Sequence, residues 1–415
     1  MIRNFVDGSC LFLIPFQKVI EPIFLPQEKS FMTSHSMIFR IFFSLLSVFH
    51  FATIYSYADE NKYVVADQWM VHEHHGGMPA LCKAANGDIL LAFATNWQPI
   101  PPAAGNVMLM RSSDNGRTWT KPSKVVFAND LNCSVHMWSG LHLMPDNSLI
   151  LAYGQNYSEE IAQAYFIRSL DHGYTWSSPE ELVDGSRYPF IEGFGQAVTT
   201  SYGDVLVPLG VRRSGGYSRD VISCFVRSQD SGYTWGDVEI LAEGSHKFSE
   251  TVLSLAANGD LIAIIRSNAK ARILYQGRSP DNGYTWEISR AVAKNEGTLL
   301  GKMPSILSLP SGRMTLAVGA VGGKKGHQIY GEPYNTSYAG LYVSDDFGDS
   351  WKKDVMFTSP DPYRYIPYDA PVSVALDNGD ILVVHCAYDR EYKDHPLRGW
   401  TMGSHLVANL LIPMN

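Results

Sequence analysis

The chain has 415 residues, 45% of them hydrophobic, and a formal net charge of −8. That apolar content supports a packed core, and an acidic balance with Lys and Arg spread along the chain excludes a basic nucleic-acid-binding block. No glycine-rich phosphate loop stands in a strand–helix context, and neither CxxC nor HExxH occurs, so no cofactor or metal is expected from a motif.

The amino end differs from the rest. Met37–Tyr55 carries one Arg and then an apolar run, followed by Ser56-Tyr57-Ala58 and the acidic Asp59-Glu60. This is the order of a secretory signal, with small residues at the −3 and −1 positions of a cut after Ala58. A membrane anchor is the competing reading, but the run is broken by His50 and is short for a bilayer span. The expectation is therefore a signal at 37–58, an uninterpreted extension at 1–36, one folded domain at 59–415, and a secreted or periplasmic protein without stable membrane insertion. Five cysteines occur at spacings that fit neither zinc nor a dense disulfide frame, so buried thiols are expected.

From Met78 onward one pattern recurs: an apolar strand, a polar turn and a second apolar strand. The six copies begin at Met78, Trp138, Phe194, Glu250, Met303 and Ala370, each nine positions before the second residue of its turn pair. Five hairpins of the form Ser-x-Asp-x-Gly-x-Thr/Ser-Trp follow the first five copies: Ser112–Trp119, Ser169–Trp176, Ser228–Trp235, Ser279–Trp286 and Ser344–Trp351. Their Asp accepts turn amides, their Gly tolerates positive φ, and their Trp covers the turn, so they read as structural. A calcium loop needs more carboxylates per turn. Helical periodicity is absent. Six copies of about 50–65 residues predict an all-β chain, a six-bladed β-propeller with four-stranded antiparallel blades. The sixth copy lacks a hairpin; Trp400–Leu411 and Tyr63–His72 are expected to complete it and close the ring.

In such a ring the first strand of each blade lines the central channel and the second returns to the same mouth. Opening positions place His75, His136, Glu192, His246, Lys247, Glu250, Lys302, Tyr368 and Asp369 there, and returning ends add Arg212, Arg213, Arg266, Asp389 and Arg390 among other polar residues. Polar mouths are common because strand ends are solvated. Glu250, however, fills a column otherwise occupied by Met, Trp, Phe, Met and Ala, and such local inconsistencies mark functional sites.

The five hairpins of this six-bladed pattern resemble the Asp boxes of the sialidase (neuraminidase) superfamily, a likeness that covers nearly all of 59–415. It implies a Tyr nucleophile helped by a Glu, an acid/base Asp, and three arginines that hold the sugar carboxylate. A neutral Tyr avoids repelling that carboxylate, as an anionic nucleophile would not. Glu250 and Arg266, sixteen residues apart, sit as the helper Glu and one such Arg do, and Tyr368 sits where the nucleophile belongs. Gly77-Met78-Pro79 replaces the family's Arg-x-Pro, Thr95–Pro99 offers no acid/base Asp, and Asn335–Tyr338 replaces the stretch of the third arginine.

The resemblance implies a glycoside hydrolase that removes a terminal acidic sugar from a glycan by retaining chemistry, with Tyr368 and Glu250 catalytic. Arg266, Arg212, Arg213, Arg390 and Lys302 are candidates for binding the carboxylate; His75, His136, Glu192 and Asp369 are further candidates at the mouth. Two alternatives stay open: a carbohydrate-binding propeller without catalysis, and a lyase on uronic-acid polymers using His and Tyr as base and acid.

Overall fold

The computed structural model describes residues 61–73, 77–95, 105–127, 134–137, 139–158, 161–192, 195–213, 221–268, 273–294, 297–321, 338–357, 359–361, 364–389 and 404–414. The extension at 1–36 and the signal at 37–58 lie outside them, as do Cys10 and Cys133.

Every regular element among the described residues is a strand. The first, fourth, fifth and sixth sequence repeats each form a separate four-stranded antiparallel sheet. Repeats two and three share one ten-stranded sheet, joined through the parallel pair Phe190–Ala162. Their inner strands are each split: Ser134–His136 and Leu141–Leu143 in repeat two, Phe190–Glu192 and Val198–Thr199 in repeat three. Glycines explain the breaks. A Cβ on Gly195 would lie 1.4 Å from the carbonyl oxygen of Thr251, and one on Gly140 would lie 2.0 Å from that of Ala152. The backbone at these points is pressed against the neighbouring strand, which only glycine permits. The class is a β-propeller: six repeats appear as four separate blades and one joined pair.

The inner strands neighbour one another in ring order. Gly77–Lys83 lies against both Leu141–Leu143 and Tyr365–Ala375, and Lys302–Ser308 lies between Tyr365–Ala375 and Phe248–Leu255. Polar links join the inner strands of different repeats. Ser305 and Ser373 share a hydroxyl bond of 2.9 Å, and Gln196 donates across from repeat three to the carbonyl of Ile306 in repeat five at 2.6 Å. The amide of Ala197 donates to Nδ1 of His142 at 3.3 Å; burial pushes His142 down to about 3, so the imidazole is neutral and can accept.

The last sheet closes as expected. Its order is Tyr365–Ala375, Ile381–Asp389, Ser404–Pro413 and, outermost, Tyr63–His72 from the amino end. That strand is held from both sides. Asp354 of repeat five accepts the amides of Lys62 and Tyr63, while Trp69 donates to the carbonyl of Gly116 in repeat one at 2.9 Å. Cys82, Cys224 and Cys386 are buried free thiols, and burial pushes Cys82 up to about 12.

The five aspartate hairpins are near copies. In the second, Ser169 donates to Asp171 at 2.8 Å, Gly173 donates to Ser169 at 2.7 Å, and the Thr175 amide and hydroxyl both donate to Asp171. The Thr175 hydroxyl and amide hold Asp171 at about 2, and the equivalent bonds do the same for Asp230 and Asp281. Positive φ extends to the residue before each glycine, including Phe347 at 55°.

A second repeated device joins the blades. An Arg precedes the Ser of four hairpins, and each reaches from its own inner turn to the next repeat's hairpin. Arg111 pairs with Asp88 at 2.7 Å and donates to the carbonyl of His172 at 2.7 Å. Arg227 likewise joins Asp204 and Asn282, and Arg278 joins Asp260 and Phe347. Arg168 reaches Ser231. Three of them stack on the exposed Tyr of that next hairpin: Arg111 on Tyr174, Arg168 on Tyr233 and Arg227 on Tyr284, at 3.9, 4.2 and 4.3 Å. Repeat five has Val343 at this position, and the repeat that follows it has no hairpin to grip.

Candidate functional site

Proline shapes the mouth. Pro79, Pro304 and Pro371 open the inner strands of repeats one, five and six, and a proline has no N–H for the ladder. The strands bulge there: register slips between Gly77 and Ala80, between Lys302 and Ser305, and between Asp369 and Val372. The preceding residues, Met78, Met303 and Ala370, take φ values of 52°, 47° and 47°. Left-handed backbone at a non-glycine is strained, and bulges re-aim side chains. Repeat four has Thr251 instead of proline. Its N–H can join the ladder, so Thr251 pairs with Ile265 and the bulge moves back one residue, onto Ser249 and Glu250. The residue that stood out in its sequence column also stands where the backbone departs from the other repeats.

Glu250 is bound on both oxygens. Oε1 forms an ion pair with Arg266, and Oε2 accepts the amide of Met303 at 3.2 Å. The carboxylate and the guanidinium are 17% and 23% exposed, so the pair is reachable from the mouth yet partly desolvated. Lys302, the residue before Met303, is buried. The Glu250–Arg266 pair thus sits at the junction of repeats four and five, with Lys302 next to the residue whose amide it accepts.

The other expected residues fall as follows. Tyr368 lies in the strand Tyr365–Ala375 where register slips between Pro367 and Asp369, and Asp369 is opposite Cys386. His136 pairs with Gly154 and Glu192 with Gly210. The side chains of these four are outside the described part, and His75 and Arg390 lie wholly outside it. Arg212 stacks at 3.8 Å on Phe190, its cross-strand partner, and Arg213 pairs with Glu243 at 3.0 Å on the exposed rim. Glu250 and Arg266 are brought together, and Lys302 precedes the residue whose amide Glu250 accepts; Arg212 and Arg213 are held by partners of their own.

Two residues placed at this mouth from sequence, His246 and Asp389, have partners that the sequence did not assign. His246 meets the hydroxyl of Tyr275 through Nδ1 at 3.0 Å. In repeat six, buried Asp389 sits 3.3 Å from both Arg364 and His405. A signal for the second exists: His405 and Asn409, four apart in an apolar strand, share one face, and Asn409 bonds His385 in turn.

Residues 134–383 match the family described as BNR repeat-like domain. No curated protein sequence matches the chain. Among solved structures, a protein of unknown function from Dyadobacter fermentans superposes with a TM-score of 0.63 at 18% identity, covering 85% of this chain and all (100%) of that one. The Hadza microbial sialidase Hz136 gives 0.61 at 14% identity, covering 83% of this chain and 68% of its own. The α-L-arabinanase of Penicillium chrysogenum, solved with arabinobiose, gives 0.57 at 15% identity, covering 82% and 97%. At these identities the likeness is one of fold.

Proposed function

This chain belongs to the BNR repeat-like domain family of sialidase-like propellers, and from that premise we propose that it is a glycoside hydrolase working at the mouth. The observation that carries the reading is the bulge of repeat four, which sets Glu250 between Arg266 and the Met303 amide. Neighbours of the same fold carry the names sialidase and arabinanase, so glycan hydrolysis is chemistry this scaffold hosts.

The substrate we propose is a terminal acidic sugar, as in exo-α-sialidases. Arg266 and Lys302 would draw its carboxylate to the site. Tyr368 would attack the anomeric carbon while Glu250 takes the phenolic proton, and the bond to the leaving oxygen would break as an acid at the mouth protonates it. His75, His136, Glu192 and Asp369 are the candidates for that acid. Water would then release the sugar from the tyrosyl intermediate with retention. The secretory reading of Met37–Ala58 belongs to the same proposal, and a mature chain beginning at Asp59 would support it.

A second reading, a carbohydrate-binding propeller without catalysis, draws on the fact that both Glu250 oxygens are already engaged by the protein. A screen of the purified chain against aryl glycosides of sialic and uronic acids separates the two. Hydrolysis lost in both Glu250→Gln and Tyr368→Phe, with melting unchanged, supports the enzyme. Binding without turnover supports the second reading, and an unsaturated product absorbing in the ultraviolet identifies a lyase.

A further inference from the structure

A cleft of about 310 Å³ lies away from the mouth, between the outer strand of repeat two (Glu180–Glu181) and the aspartate hairpin of repeat three (Ser228–Trp235). Its size is at the lower end of small-molecule sites, room for a compact ligand and not an extended chain. Phe166, Leu182 and Val238 give it an apolar floor, and Tyr188 and Trp235 add aromatic surface. Phe166 and Trp235 meet edge to face, with centroids 6.0 Å apart.

Trp235 and Trp176 differ here from Trp119 and Trp286. The indole N–H of Trp119 donates to Gly116 and that of Trp286 to Gly283, at 2.8 and 3.0 Å. The N–H groups of Trp176 and Trp235 are buried without an acceptor among the described residues, and of the two only Trp235 lines the cleft.

The polar lining is acidic. Glu180, Glu181, Asp184 and Asp237 stand against one cation, Arg187, which is already paired with Asp237 at 3.0 Å. Four carboxylates repel an anionic sugar, so the cleft is unsuited to the substrate proposed for the mouth. They are also exposed and solvated, which makes them weak holders of a small cation. They remain good acceptors for hydroxyl groups, while the apolar C–H face of a sugar ring fits an aromatic floor.

We propose that this cleft is a second, non-catalytic binding site for a neutral sugar unit. It anchors the protein on a glycan whose neutral residues lie apart from the one cleaved. The inference stands on the cleft alone and survives if the mouth proves to have another chemistry.

The test is calorimetric titration of the full chain with lactose, cellobiose and maltose, repeated with Glu250→Gln, Trp235→Ala and the exposed-rim double variant Glu181→Lys/Asp184→Ala. At least one disaccharide should bind with a Kd of about 1 mM, equally in the wild type and Glu250→Gln. Binding should weaken at least about tenfold in Trp235→Ala and in the rim variant, whose exposed positions leave the fold intact. No binding by any of the three overturns the proposal, as does binding that the rim variant leaves unchanged. Tighter, salt-sensitive binding of spermidine than of every disaccharide overturns it in favour of a cation site.

Discussion

The two ends of the sheets follow opposite rules. At the hairpin end the same bonds recur: Ser to Asp, Gly to Ser, Thr or Ser to Asp, and an Arg reaching to the next repeat. At the mouth the repeats diverge. Three open on proline bulges, one on Ser249-Glu250, and two on strands broken at glycine. Repetition suits an end whose task is to lock identical blades together; a binding site must differ from blade to blade, because a ligand has no sixfold symmetry. The lesson is that departure from the repeat, more than residue type, locates chemistry in this chain.

That contrast can be broken from either end. The largest effect is expected for Gly195→Ala, whose Cβ would meet the Thr251 carbonyl at 1.4 Å. No side chain can yield there, so a loss of about 4 kcal/mol or more is expected, measured by denaturant unfolding. Arg227→Ala comes next. Arg227 is buried and holds Asp204, Glu239 and the carbonyl of Asn282, so its removal leaves Asp204 buried and unpaired. A loss of about 3 kcal/mol is expected, with any mouth activity retained below the melting point. If activity fell as far as stability, the two ends would not be separable. Asp354→Ala frees the amides of Lys62 and Tyr63, and a loss of about 1–2 kcal/mol should show first as faster proteolysis near Lys62.

The smallest effect is a pH dependence at the hairpin end. Asp171, Asp230 and Asp281 are held at about 2, below the ordinary carboxylate value of 3.8. A depressed folded-state value stabilises the fold above the unfolded value and is lost as pH falls through the folded one. The hairpin contribution should therefore persist to about pH 4 and disappear towards about pH 2. Thermal melts across that window should show the decline blunted in Asp230→Asn relative to the parent. An unchanged pH slope would mean that other carboxylates dominate.

Much of the fold was legible because it is periodic. A gapless register across six repeats carries strand, turn and strand, and the missing sixth hairpin pointed to closure by Tyr63–His72. The arginine before Ser in Arg111-Ser112, Arg168-Ser169, Arg227-Ser228 and Arg278-Ser279 went unread in the sequence, because its role lies in the next blade. The joining of repeats two and three was not visible, since Gly140 and Gly195 report close approach and the partner strand is remote in sequence. Of the site, Glu250 with Arg266 was readable as an odd carboxylate and a cation at the facing strand end. The Asp389–His405 and His246–Tyr275 contacts were not, because each joins residues whose proximity depends on how strands pair.

By itself the amino-acid sequence determined the repeat, the hairpin chemistry and the position that breaks the pattern, because these depend on local backbone conformation and on side-chain alternation along a strand. The tertiary structure alone decided what Glu250 touches, which blades merge, and where a cleft opens between neighbouring blades. Those are contacts between segments far apart in the chain, and their geometry is set by packing and ring closure, which no local pattern encodes.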